Sequence, residues 1–499
     1  MSRLRKFRVV ILCLLAMGNF SCAELVPFPP WGQPRPSHID IHPCRLRNYS
    51  TELLCGKYAV YENRAQQTGR MISLNILVAP ALTPTPAEDP VFFLSGGPGQ
   101  GAARIARAGE DALMRELRRE RDLVFIDQRG TGDSNRLGCS IIDDRGSLQS
   151  FFLEVFPGEA IRSCRHELMR HADLRFYTTT VALEDIDEIR HALGYEKINL
   201  YGISYGTLSA LEYLRRYPDQ VRAVALAGIF TPVAKLPLQF AQGSQRALDR
   251  LIADCAEDES CRTAFPTLKE DFAAVLGAFS KGPVRFDLTV PGGRTTQHVS
   301  VSRGVFAERL RLMLYDHSSA NLIPLLIHRA AHGDWQPFGN VVVRPIPASA
   351  YAVALGTYLS VTCSESVGFI SDAEIVTQTA GTFLFDYRVR RHQLACADWL
   401  PGEVSRDFFT PVKSAAPVLM LSGDIDPVTP AEFAAAAGRY LPNSRQVILR
   451  NTPHSYSSAC ARSLTVAFIE RGSAADLDAE CANRLRRPRF LTELPERYQ

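Results

Sequence analysis

The stretch Ile198-Asn-Leu-Tyr-Gly-Ile-Ser-Tyr-Gly-Thr-Leu-Ser-Ala210 decides how this chain is read. An apolar run passes through Gly202-Ile-Ser-Tyr-Gly206 into a helix-forming segment, the order strand, sharp turn, helix. Glycines at 202 and 206 suit a strained turn in which the chain packs closely around the residue at the tip. That residue is Ser204, a candidate nucleophile. Five residues of this kind recur by chance in many proteins, so the reading depends on what surrounds them.

Outward from this point, short apolar runs alternate with amphipathic segments. Strands are expected at 71–78, 91–94, 123–127, 198–201, 221–227, 418–421 and 446–449. Their apolar character on both faces implies a mostly parallel sheet covered by helices on either side. Helices are expected at 111–119, 181–193, 204–217, 431–440 and 457–469. In the second of these, Asp185, Asp187 and Glu188 against Arg190 and His191 read as a solvated face. Between 230 and 405 the strand-helix rhythm fades into helical segments with a β-like patch at 284–301, the pattern of an inserted, mainly helical cap. The expected organisation is a signal peptide over 1–23, a Pro-rich lead-in over 24–45, an α/β core over 46–229 and 406–499, and the cap over 230–405.

Two further motifs bear on Ser204. Pro417-Val-Leu-Met-Leu-Ser-Gly-Asp-Ile-Asp-Pro-Val-Thr-Pro430 places two acids just past a strand end, and Ile448-Leu-Arg-Asn-Thr-Pro-His-Ser455 places His454 just past the next. Loops at the carboxyl ends of parallel strands converge on one sheet edge. There the imidazole can take the Ser204 proton while an acid holds its tautomer. Asp426 is the expected acid, with Asp424 as the second candidate. Val91-Phe-Phe-Leu-Ser-Gly-Gly-Pro-Gly-Gln100 adds a glycine-rich loop directly after a strand, where an exposed amide can face a developing oxyanion. Gly97 and Tyr205, the residue after the serine, are the expected amide donors. Alone, the glycine loop is more often just a turn and a histidine more often a surface or core residue. The order serine, acid, histidine, each at a strand end, is what gives them a common reading.

With these residues in view, the chain resembles the α/β-hydrolases of the prolyl and tripeptidyl aminopeptidase branch, peptidases of the proline iminopeptidase type. The resemblance rests on Gly96-Gly-Pro-Gly99, Asp127-Gln-Arg-Gly-Thr-Gly-Asp-Ser134, Gly202-Ile-Ser-Tyr-Gly206, Asp426-Pro-Val-Thr-Pro430, and Cys363 with Cys396-Ala-Asp-Trp399. It implies the α/β-hydrolase fold with a helical cap, cofactor-free hydrolysis and release of residues from peptide N-termini. Two positions depart from the pattern: Ser95 stands where these enzymes often carry histidine, and Ser455 follows His454 where glycine is commoner. An aminopeptidase must recognise a free ammonium, and a carboxylate in the cap is the natural partner. Glu365, two residues after Cys363, is the candidate; the competing reading is a solvated surface glutamate.

The N-terminus reads as an export signal: Arg3, Arg5, Lys6 and Arg8 precede an apolar stretch from Val9 to Met17 and the small residues Ser21, Cys22 and Ala23. Cleavage after Ala23 is one reading; a lipid anchor on Cys22 is the other, although Asn19 and Phe20 fit a lipoprotein pattern poorly. The apolar stretch is too short to span a bilayer comfortably. Ten further cysteines remain, an even number that after an export signal argues for disulfides in the periplasm or outside the cell. Pairing in chain order, Cys44 with Cys55, Cys139 with Cys164, Cys255 with Cys261, Cys363 with Cys396 and Cys460 with Cys481, closes only short loops; buried free thiols are the alternative. Neither CxxC nor HExxH occurs, so no metal is expected. Lys+Arg 56 against Asp+Glu 53 leaves no electrostatic reason for nucleic-acid binding.

The sequence therefore points to an exported serine hydrolase acting on peptide N-termini. A carboxylic-ester hydrolase with the same three residues is the competing enzyme, because function resides in the site and not in the fold. A silent binding protein on this scaffold would be expected to have lost one of the three.

Overall fold

A computed structural model describes residues 39–47, 49–139, 147–290, 295–344 and 353–498. The signal segment, with Cys22, and most of the Pro-rich lead-in lie outside the described residues.

Among the described residues there are eleven strands: β1 (Ile39–Cys44), β2 (Leu53–Tyr61), β3 (Met71–Ala79), β4 (Val91–Leu94), β5 (Leu123–Ile126), β6 (Ile198–Ile203), β7 (Val221–Ala227), β8 (Val284–Thr289), β9 (Thr296–Val301), β10 (Val418–Gly423) and β11 (Ser444–Leu449). Nine form one sheet in the order β1-β2-β3-β5-β4-β6-β7-β10-β11, and β8 pairs with β9 in a separate hairpin. The ladder from β5 through β4, β6, β7 and β10 to β11 is parallel, whereas β1, β2 and β3 meander antiparallel at one edge. This is the α/β-hydrolase fold, as the sequence leads one to expect. Every residue of β4, β5 and β10 is buried, because helices cover both faces. On one face Met114, Leu117, Leu464 and Phe468 pack on the sheet; on the other Leu183, Ile186, Leu211 and Leu214 do so. β1 and β2 carry mixed exposed and buried positions, which hides them from a search for continuous apolar runs.

Between β7 and β10 the described residues run through helices and the β8–β9 hairpin and add no strand to the main sheet. A second excursion joins it. Residues 147–177, which sequence rhythm assigns to the first part of the core, place Phe152, Ile161 and Leu168 in one apolar cluster with Phe306, Leu310, Trp335 and Phe338. The backbone amide of Leu148 donates to Gln297 in β9, and Arg391 donates to the carbonyl of Val155.

The acids of the helix Thr179–Ala192 are not a solvated face. Asp185 is 1% exposed and takes a two-pronged bond from the buried Arg129, with a third contact from Arg64. Asp187 accepts from Tyr213. Helical spacing alone cannot show that a cation from another loop reaches in to neutralise such an acid.

Five disulfides join Cys44–Cys55, Cys139–Cys164, Cys255–Cys261, Cys363–Cys396 and Cys460–Cys481. Among the described residues no helix is long and apolar enough to cross a membrane.

Candidate active site

The turn between β6 and the helix Tyr205–Arg216 puts Ser204 at its tip with φ 56° and ψ −124°. A non-glycine residue in such a region stores about 1–3 kcal/mol and persists only where its surroundings over-determine it. Here they do. The Ser204 N–H donates to the Ala227 carbonyl at 2.9 Å, and the Ser204 carbonyl accepts from the Thr207 hydroxyl at 2.6 Å. That hydroxyl in turn accepts from Phe230 N–H. The two flanking glycines answer to close packing: a Cβ on Gly202 would lie 2.5 Å from the Gly206 oxygen, and one on Gly206 would lie 2.0 Å from the Leu94 oxygen. The tip is left partly exposed.

Three strand-end loops meet there. His454, past β11, has Nε2 at 2.9 Å from Ser204 Oγ and Nδ1 at 2.6 Å from Asp426 Oδ2. Asp426, past β10, is buried and densely bonded. Its Oδ1 accepts from the Val428 and Thr429 amides, both at 2.8 Å, and its Oδ2 accepts from the Thr429 and Tyr456 hydroxyls. Burial alone would raise this carboxyl. The His454 charge beside it, with bonds from His454 and Thr429, overcomes that and holds it below the usual carboxylate range. Asp424 is exposed and accepts from the Thr452 amide at 3.2 Å, a bond that shapes the loop before His454.

The glycine-rich loop after β4 lies alongside. A Cβ on Gly96 would come within 3.2 Å of Ser204 Cβ, so this loop passes close to the serine. Gly97 follows with φ 113°, open only to glycine. Tyr205 is the first residue of its helix, and its N–H is one of those a helix leaves without an internal partner. Glu365 is not a solvated surface residue. It is 3% exposed, and its two oxygens accept from the Thr179 amide and hydroxyl, each at 2.6 Å. With both oxygens engaged inside the protein, this placement does not support Glu365 as a free carboxylate awaiting an ammonium.

Several residues at the site had no role from sequence. Thr429 and Tyr456 sit within three residues of Asp426 and His454, so proximity was the available signal. Gly228 (φ 67°) packs tightly against the site: a Cβ there would lie 2.9 Å from Tyr456 Cε2 and 3.1 Å from His454 Cε1. Tyr315 comes from the insertion and sets its ring edge-on to His454 at 5.2 Å, a contact no local pattern announces. As for metal ligands, among the described residues Asp271, His328 and His332 offer ligand atoms within 4.8 Å of one another. The 2.7 Å bond between His328 Nδ1 and Asp271 accounts for two of them being close.

Stretches of the chain match known proteins. Residues 89–264 match a family model described as alpha/beta hydrolase fold, and residues 382–481 match one described as TAP-like protein. Serine protease Hip1 of Mycobacterium tuberculosis is 28% identical over 275 residues, covering 51% of this chain and 50% of its own. Tripeptidyl aminopeptidase of Streptomyces lividans is 28% identical over 199 residues, 37% of each chain. Thus the chain spans half or less of the length of these curated relatives. A solved proline iminopeptidase from Mycobacterium smegmatis is 14% identical, covers 83% of this chain and 98% of its own, and has a TM-score of 0.38. With both family models matched along it, the chain has the α/β-hydrolase fold and is similar to the tripeptidyl aminopeptidases and proline iminopeptidases.

Proposed function

We propose that this protein is an exported serine peptidase that releases residues from peptide N-termini through an acyl-enzyme on Ser204. The observation that carries the reading is the hydrogen-bonded file Asp426–His454–Ser204. Ser204 Oγ attacks the scissile carbonyl carbon as its proton passes to His454 Nε2, and Asp426 stabilises the imidazolium that forms. The carbonyl oxygen becomes an oxyanion held by the amides of Tyr205 and Gly97, each worth about 2.7–4 kcal/mol by comparison with a known case. Collapse expels the amine, which takes the proton from His454. Water then repeats the sequence on the acyl-enzyme and frees Ser204.

Peptide substrates are favoured by relatives named serine protease, tripeptidyl aminopeptidase and proline iminopeptidase. Terminal cleavage is favoured by relatives named tripeptidyl aminopeptidase and proline iminopeptidase. Export is favoured by five disulfides, which persist in oxidising compartments.

A fluorophosphonate probe is expected to label the folded wild type and not Ser204→Ala; an unlabelled wild type overturns the catalytic reading. Aminoacyl, prolyl and tripeptidyl chromogenic amides with free amines are expected to turn over, and their amine-blocked forms not. Turnover of short-chain esters alone would make the protein an ester hydrolase.

A further inference from the structure

The insertion contributes the helix Leu355–Glu365, and its two ends reach the two sides of the serine. At its start, Ala354 N–H donates to the Gly99 carbonyl at 2.8 Å, two residues from Gly97. Thr357 Oγ1 donates to the Gly130 carbonyl at 2.6 Å and fixes the same end. At its finish, Glu365 binds Thr179, and Thr179 Oγ1 lies 2.6 Å from the Tyr205 hydroxyl. Glu365, Thr179 and Tyr205 are all buried. The helix is itself anchored by the Cys363–Cys396 bridge, by Trp399 Nε1 donating to Ser360 Oγ, and by Gly402 N–H donating to Ser364 Oγ.

A carboxylate this deep, bonded to neutral groups, is an expensive way to fill space. Burial, with a smaller push from Glu212, lifts it to about 7. Its bonds define a direction: Thr179 donates both its protons to Glu365, which leaves Thr179 Oγ1 as the acceptor for the Tyr205 phenol. The phenol is thereby pinned, and with it the first residue of the helix that presents the Tyr205 amide. Catalytic groups must be held to within about half an ångström of their productive positions, so the residues that hold an oxyanion donor bear on the rate.

We propose that Glu365 is a positioning residue for the oxyanion hole, acting through Thr179 on Tyr205, and that the helix Leu355–Glu365 braces the hole from both sides. The proposal rests on the serine-peptidase reading. It assigns Glu365 to the transition state and not to the substrate's ammonium.

The test compares wild type, Glu365→Ala, Glu365→Gln and Tyr205→Phe on free-amine amides, amine-blocked amides and esters, with a peptidyl boronate as the mimic of the tetrahedral adduct. Glu365→Ala is expected to lower kcat at least tenfold on every substrate the wild type turns over, with KM within twofold. The boronate Ki should rise by the same factor. Glu365→Gln retains an oxygen for the Thr179 amide and an N–H for Thr179 Oγ1, so it should recover to within about threefold of wild type. In the double variant Glu365→Ala/Tyr205→Phe the losses should not multiply, because both changes break one chain; multiplicative losses overturn the proposal. If Glu365→Ala does not fold, Tyr205→Phe must show the same kcat and boronate signature, and its absence overturns the proposal. A loss confined to KM for free-amine substrates would make Glu365 an ammonium site instead. An active wild type beside an unaffected, folded Glu365→Ala overturns this proposal alone; an inactive wild type overturns the reading beneath it as well.

Discussion

Replacing Asp426 by asparagine makes a severe test of the site, because the structure dictates which way the new amide must face. Asp426 Oδ1 accepts two backbone N–H groups, from Val428 and Thr429, which cannot turn into acceptors. The oxygen of the substituted side chain must therefore take that position, and its NH₂ must take the place of Oδ2. The neighbours there are the Thr429 and Tyr456 hydroxyls, which can rotate to accept, and His454 Nδ1, now facing a donor. The imidazole responds by holding its proton on Nε2. That nitrogen lies 2.9 Å from Ser204 Oγ and can no longer take the serine's proton. In a serine protease the same wrong tautomer costs about 10⁴ in kcat, which corresponds to about 5.5 kcal/mol of barrier. We expect a loss of this size in kcat on a free-amine chromogenic amide. Asp424→Asn, which alters a single bond to the Thr452 amide, should stay within about threefold. Fluorophosphonate labelling should slow in Asp426→Asn alone. If Asp426→Asn keeps kcat within tenfold of wild type while folded, or Asp424→Asn loses as much, the tautomer argument and the assignment of the acid both fail.

Other changes test the packing. Glu365 stands at about 7 in the fold against 4.5 as a free side chain, so the native state binds the extra proton between those values and stability falls as pH rises through that window. The full effect is about 3 kcal/mol; urea unfolding of Glu365→Gln should show a flatter profile from pH 4.5 to 8, and parallel profiles would refute the shift. Gly206→Ala forces a Cβ to within 2.0 Å of the Leu94 oxygen, so the elbow must move. Overpacking of this kind costs about 1–3 kcal/mol, and kcat/KM should fall more than tenfold; a wild-type value would show that the turn relaxes freely. Removing the Cys363–Cys396 bridge, which closes a separation of 33 residues, should lower stability by roughly 4 kcal/mol on chain-entropy grounds. Calorimetry of Cys363→Ala/Cys396→Ala with an unchanged Tm would refute that estimate.

How far the molecule can be read from its sequence depends on whether each feature is local. The parallel strands show as apolar runs because both their faces are buried, and the elbow shows because a strained turn admits few residues around Ser204. β1 and β2, in the antiparallel meander at one end of the sheet, stayed hidden because each buries only part of its surface and so carries mixed polarity. Ser204, Asp426 and His454 were nameable because each follows a strand end in chain order. Asp426 is ranked ahead of Asp424 in the sequence, and the fold supplies a physical reason: two backbone amides and two hydroxyls surround the Asp426 carboxylate.

What the sequence by itself determined is therefore the parallel part of the sheet, the turn and a short list of candidate reacting groups, all set by local periodicity and turn chemistry. Tertiary structure alone decided the rest. It neutralised Asp185 with Arg129 across 56 residues of chain, brought Tyr315 onto His454, and bonded Glu365 to Thr179 across 186. These contacts join side chains from separate loops and elements, and no spacing along the chain encodes which of them will meet.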